Sequence, residues 1–95
     1  MRVRFTRPVQ IDLEAIYAYI SEYNLRAAAR VVARLIDRAR ALEYSPYQGR
    51  KIDEADGRVI VVPRYRYFIF YEIEGDEIHI THIRHTSRRR PWDER

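Results

Sequence analysis

The sequence predicts an α+β domain in which an antiparallel helical hairpin covers one face of a small, mostly antiparallel sheet. Three observations predict it. Apolar periodicity switches to a helical spacing near Ile11 and back to strand character after Gly49. Only about two residues separate the two helical stretches, so they must fold back on one another. Gly75-Asp76 then joins two strand-like runs as a two-residue hairpin turn, with glycine where a type II′ turn wants a positive φ. The order is strand, helix, helix and three strands in a meander (β-α-α-β-β-β), followed by a short basic C-terminal tail. With 95 residues there is room for one core, so residues 1–95 are expected to form a single domain.

Each element has its own warrant. Val3 and Phe5 alternate with arginines and run into Thr6-Arg7-Pro8, which reads as a short strand stopped by proline. From Ile11, the residues Leu13, Ile16, Tyr17 and Ile20 fall on one helix face, and the pattern ends at Tyr23-Asn24. A second helical pattern spans residues 25–44. Ala28, Val32, Leu35, Ala39 and Leu42 form its buried stripe, Arg30, Arg34 and Arg38 line its outer face, and Ser45-Pro46 stops it. Val59-Ile60-Val61-Val62, residues 65–73 and residues 77–85 are the last three strands. In the middle one, Tyr65, Tyr67, Ile69, Tyr71 and Ile73 share a face, and Arg64, Arg66, Phe68, Phe70 and Glu72 share the other. Both faces are apolar at the centre. One helical hairpin covers one of them, so the second needs the tail or another protein.

Composition excludes several chemistries. No cysteine is present, which removes disulfides, thiolate metal sites and a cysteine nucleophile, and fits a reducing cytoplasm. The start MRVRFTRPVQ lacks the apolar core of a signal peptide, and no apolar run approaches a membrane span. A net charge of +4, carried mostly by arginine, favours an acidic partner. His79, His82 and His85 are spaced by three, but strand alternation sends His82 to the face opposite the other two. His79 and His85 are then about 20 Å apart at ~3.3 Å per residue, so no metal site is expected. No serine sits in a nucleophile turn, and the three glycines are too scattered to cradle phosphate. Asp53, Glu54 and Asp56 beside Arg50 and Lys51 read as ordinary loop polarity. The arginine row on the second helix reads first as a solvated face. The informative cluster is at the sheet's end, where Arg64, Arg66, Arg84, His85, Arg88, Arg89 and Arg90 are interleaved with Tyr65, Tyr67 and Trp92. Arginine with aromatics suits RNA, single strands or protein hot spots.

Element order and residues together resemble the ParE/RelE superfamily of type II toxin-antitoxin toxins, in its ParE-like branch. The match runs through Asp12-Leu13, Ile16, Tyr19-Ile20, Ala28, Ile36, Pro46, Gly49-Arg50, Arg58, strand residues 67–71, Ile83, His85 and Arg88. Asn24-Leu25 departs from the asparagine-proline many relatives carry between the helices. RelE-like members cleave messenger RNA on the ribosome, with an arginine right after the first tyrosine of the matching strand, where charge can stabilise a developing phosphorane. Here that position is Phe68, and Arg66, two residues away, is misplaced for the task. ParE-like members inhibit DNA gyrase by binding, and the ending His85-Thr86-Ser87-Arg88 resembles theirs.

The resemblance therefore implies a non-enzymatic, cytoplasmic bacterial toxin without a cofactor or small-molecule substrate. It would act on DNA gyrase and be neutralised by a ParD-like antitoxin whose acidic segment folds on binding. The expected gyrase surface is His85, Arg88, Arg89 and Trp92. The expected antitoxin contacts are Phe68 and Phe70, with Arg30 and Arg34 as charge partners. The alternatives are a ribosome-dependent ribonuclease using Arg66, His85 and Arg88, or a non-toxic basic binding module on the same fold.

Overall fold

Thr6 sets the first boundary. The computed structural model of the chain describes residues 1–52 and 57–87. It opens with strand β1 (Arg2–Phe5) and helix α1 (Arg7–Ser21). The Thr6 hydroxyl oxygen accepts a hydrogen bond from the Val9 amide at 3.4 Å and donates to the Ile80 carbonyl at 2.7 Å. Helix α1 thus begins four residues before the expected Ile11. Pro8, read as a strand stop, occupies the first turn, where a missing N–H leaves no intrahelical bond unmade. Helix α2 (Leu25–Arg40) starts at Asn24, whose side chain caps the Ala27 amide at 3.0 Å. A 3₁₀ turn (Ala41–Glu43) extends it and carries Leu42 into the core.

The sheet has five strands in the order β1-β5-β4-β3-β2, formed by β2 (Arg50–Lys51), β3 (Gly57–Val62), β4 (Tyr67–Glu74) and β5 (Glu77–His85). Strand β1 pairs parallel with β5, and the other neighbours are antiparallel. Strand β2 is an addition to the sequence reading; two residues carry no measurable periodicity. Gly75 turns the last hairpin at φ +61, as expected.

The helical pair covers one face. Val9, Leu13 and Ile16 of α1 and Val31, Leu35 and Ala39 of α2 pack with Ile60, Val62, Tyr67, Ile69, Tyr71, Ile78, Ile80 and Ile83. A bulge makes the last strand fit. Phe70 pairs with His82 but Tyr71 with Ile80, so Thr81 is the extra residue, and its hydroxyl donates to the Phe70 carbonyl at 3.1 Å. Ile80 and Ile83 can therefore both face the helices despite an odd spacing. The same bulge corrects the expectation for the histidines. His79 pairs with Glu72 and His82 with Phe70, on one face; His85 pairs with Tyr67 on the other.

Strand β4 begins at Tyr67, two residues later than expected. Residues 63–66 form a tight connection closed by the Arg66 amide donating to the Val62 carbonyl at 2.9 Å, with Arg66 at φ 63. Arg64 and Arg66 are thus not on the strand face with Phe68. Pro63 favours this turn, and alternation cannot be read through it.

Candidate functional site

The residues singled out for function separate into three places. At the end of the sheet, the Thr86 amide donates to the Arg66 carbonyl at 2.7 Å, which ties the turn carrying Arg66 to the residue after His85. The His85 ring meets Tyr67 edge to face at 5.1 Å. Its Nδ1 accepts from the Ser87 amide at 3.2 Å and lies 2.7 Å from the Ser87 hydroxyl. A backbone N–H can only donate, so Nδ1 is an acceptor and the neutral ring carries its proton on Nε2. Arg88, Arg89 and Trp92, expected with His85, lie outside the described residues, as do Asp53, Glu54 and Asp56.

Beside this end, β1 covers only the first four residues of β5, and residues 81–85 form an edge with which no other strand among the described residues pairs. Asp12 on α1 closes it. Its Oδ2 accepts from the Ile83 amide at 3.0 Å and from Arg84 Nη1 at 2.8 Å, and lies 3.1 Å from His82 Nδ1. A cleft between α1 and β5, lined by Ile16, Tyr19, Tyr67, Ile83, Arg84 and His85, runs along it. Sequence reasoning picked out Asp12 only as part of a resemblance; a carboxylate serving a strand 70 residues away leaves no local pattern. The exposed Tyr19–Tyr23 pair, 5.6 Å apart on the outside of the hairpin, was also missed as a pair. Its signal was that Tyr23 falls off the buried stripe.

The second place is the outer face of β4. Phe68 and Phe70 lie 6.0 Å apart and form a small cluster with Val59 and Ile52. They are 7% and 5% exposed, so this apolar face is covered within the chain. Phe68 pairs with Arg84, whose guanidinium is taken by Asp12. The third place is α2, where Arg30 and Arg34 are exposed on the helical layer, across the sheet from the phenylalanines. The four expected antitoxin contacts are not brought together.

Several residues of the resemblance hold the fold instead. The buried Tyr71 hydroxyl donates to the Pro46 carbonyl at 2.8 Å and accepts from the Gly49 amide at 2.9 Å. Arg58 donates to the Gly49 carbonyl at 2.8 Å and lies 5.2 Å over the Tyr47 ring. A side chain at Gly49 would meet the Tyr71 hydroxyl at 2.5 Å, so only glycine fits there. Pro46, Gly49, Arg58 and Tyr71 are one latch that ties the connection after α2 to the sheet. Burial raises the Tyr71 phenol above its usual range, against the smaller opposing pull of the Gly49 amide and of Arg58 and Arg38.

Among the described residues, no group of three or more His, Asp or Glu side chains converges as a metal ion requires, and no helix is long and apolar enough to cross a membrane.

Known proteins share this arrangement. Toxin RelE2 of Caulobacter vibrioides is 36% identical over 77 residues, covering 81% of this chain and 85% of that protein. A solved chain from a chromosomal ParDE TA system of P. aeruginosa superposes with a TM-score of 0.80 at 25% identity, covering 90% of this chain and 95% of that one. The sequence model of the family described as ParE toxin of type II toxin-antitoxin system, parDE, matches residues 3–90. The chain therefore belongs to the ParE toxin family of type II toxin-antitoxin systems.

Proposed function

We propose that this ParE-family toxin acts in the bacterial cytoplasm by binding DNA gyrase, without chemistry of its own, and is neutralised by a cognate ParD-like antitoxin. The observation that carries the reading is Phe68. Where RelE-like ribonucleases resembling this chain place an arginine, a phenylalanine is buried against Phe70 and Val59, and the neighbouring Arg84 is committed to Asp12. Among the described residues, the arginine that pairs with this position is thus engaged elsewhere and is not available to stabilise a developing phosphorane. The gyrase surface is proposed at His85, whose orientation Ser87 fixes, with Arg88, Arg89 and Trp92 beyond it. The antitoxin surface is proposed over the outer side of β4, with the buried Phe68 and Phe70 as its floor rather than as exposed anchors. Arg30 and Arg34, across the helical layer, are left out of it.

One observation favours the second reading, a ribonuclease using Arg66, His85 and Arg88: the backbone bond between Thr86 and Arg66 keeps the turn that carries Arg66 at the same end of the sheet as His85. The name RelE2 of a relative points the same way. Expressing the toxin with and without its neighbouring gene, while following double-strand breaks, supercoiling and transcript cleavage, separates the two. Breaks without cut transcripts support gyrase, and cut transcripts without breaks support the ribonuclease. Alanine at both Arg88 and Trp92 should abolish toxicity while antitoxin binding persists; the opposite result would mean that the two surfaces are exchanged.

A further inference from the structure

The outer face of α2 carries five arginines, at 26, 30, 34, 38 and 40, against one carboxylate, Asp37. Arg38 is held by Gln48 at 2.6 Å, and Arg40 lies over the Phe5 ring. The other three are exposed, and no ion pair among the described residues involves them. Arg26, Arg30 and Arg34 recur every four residues, so they stand in a row, about 6 Å apart along the helix and about 12 Å from first to last. On the sheet, by contrast, Arg2 and Arg4 are paired with Glu77 and Arg84 with Asp12. Three guanidinium groups in line, with no ion pair to them among the described residues, are like charges held close together.

We infer that this row is a contact surface for the phosphate backbone of duplex DNA. Four occupants compete for a basic helix face, and the residues between the arginines and the span of the row decide among them. A protein partner needs large apolar or aromatic anchors near the centre of the patch. The outward positions among Arg26, Arg30 and Arg34 are Ala29 and Ala33, which anchor nothing and let a backbone approach closely. Single-stranded nucleic acid needs aromatic rings along its path on which to stack its bases, and residues 26–34 include none. Double-stranded RNA closes its major groove to side chains, whereas the major groove of DNA, about 12 Å wide, is bordered by phosphates at the span of this row. Guanidinium groups suit phosphate by their bidentate donors, and 17 of the 18 basic residues of the chain are arginine. The contact carries no base readout, so it is sequence-independent.

The inference does not depend on the target proposed above, because it is measured on the purified toxin alone. The probe is a fluorescent 20-base-pair duplex of mixed sequence, titrated between about 50 and 200 mM salt, where phosphate contacts lose affinity steeply. The variant R26Q/R30Q/R34Q keeps helix propensity and is checked by circular dichroism. It should lower the slope of log affinity against log salt by about 2.7 and weaken low-salt binding by on the order of tenfold or more. The control R2Q/R4Q, on paired arginines at the sheet edge, should leave the slope unchanged. A wild type that does not bind the duplex, or a triple variant that keeps the full slope, overturns the inference. So does a thymidine 20-mer or poly-glutamate that binds wild type more tightly than the duplex and is lost in the triple variant. Those results would assign the row to a single strand or an acidic protein.

Discussion

At the residue scale, the two sharpest tests concern side chains whose neighbours leave no room for substitution. Tyr71 holds both Pro46 and Gly49, so Y71F leaves a buried amide and carbonyl unmatched and should cost about 1–3 kcal/mol in chemical denaturation. G49A, which drives a methyl group into the same hydroxyl, should cost at least as much. The latch also has a pH signature. Burial raises the Tyr71 phenol, so its contribution is full below the unfolded value near 10 and is lost as pH rises through the folded one. Melting temperature should fall on the alkaline side of pH 10, and less steeply in Y71F. Phe68 poses the second test. Restoring an arginine there puts a charge into a cluster that is 7% exposed, so F68R should lose several kcal/mol of stability. It should also produce no transcript cleavage, since His85 is on the opposite sheet face; cleavage by F68R would restore the ribonuclease reading.

At the element scale, Asn24-Leu25 is a departure from relatives that the helix start explains. Asn24 caps α2 from an extended conformation, and Leu25 is its first residue, exposed to solvent. Proline is favoured at that position because its fixed φ suits a helix and its absent N–H is not needed. L25P should therefore be neutral or stabilising by up to about 1 kcal/mol, and a thermal melt that drops by several degrees would contradict the assigned cap. The pairing of β1 with β5 has an acid-side counterpart. The Glu77 carboxyl is held below its usual range first by a hydrogen bond with His79; burial, the next largest effect, opposes this, and Arg4 and then Arg2 add to the lowering. Its contribution is present above the unfolded value near 4.3 and is lost as pH falls through the lower folded value. The acid arm of the stability profile should thus be shallower in E77Q. The helices, the long strands and the last hairpin were legible in the sequence because each repeats its period several times. What was not legible has local causes: a two-residue strand, a proline that starts a helix instead of stopping a strand, and one extra residue at Thr81 that turned His82 to the face of His79. Of the candidate site, the sequence held the place of His85 at the end of the last strand and the phenylalanine at position 68. The site was not legible at Arg66, which a left-handed turn takes off the strand, or in the separation of Arg30 and Arg34 from the phenylalanines.

At the scale of the whole molecule, the question is what joins the helical layer to the sheet where β1 runs out. Strand β5 is nine residues long and β1 four, so the edge at residues 81–85 would present unpaired backbone groups to solvent, the arrangement that invites edge-to-edge association. Asp12 answers this from the other layer. Its carboxylate accepts from the Ile83 amide as a neighbouring strand would, and Arg84 and His82 converge on the same oxygen. Two substitutions separate the two parts of that role. D12N keeps an acceptor for the Ile83 amide while removing the charge, so it should cost less than D12A, which removes both. For D12A the loss should be about 1–3 kcal/mol, the cost of a partly buried amide and guanidinium left without their acceptor. Edge closure predicts a second, independent readout: sedimentation should show concentration-dependent self-association for D12A and not for D12N. If both variants remain monomeric and equally stable, the edge is closed by something other than Asp12. The cleft between α1 and β5 would then have to be understood without the carboxylate at its rim.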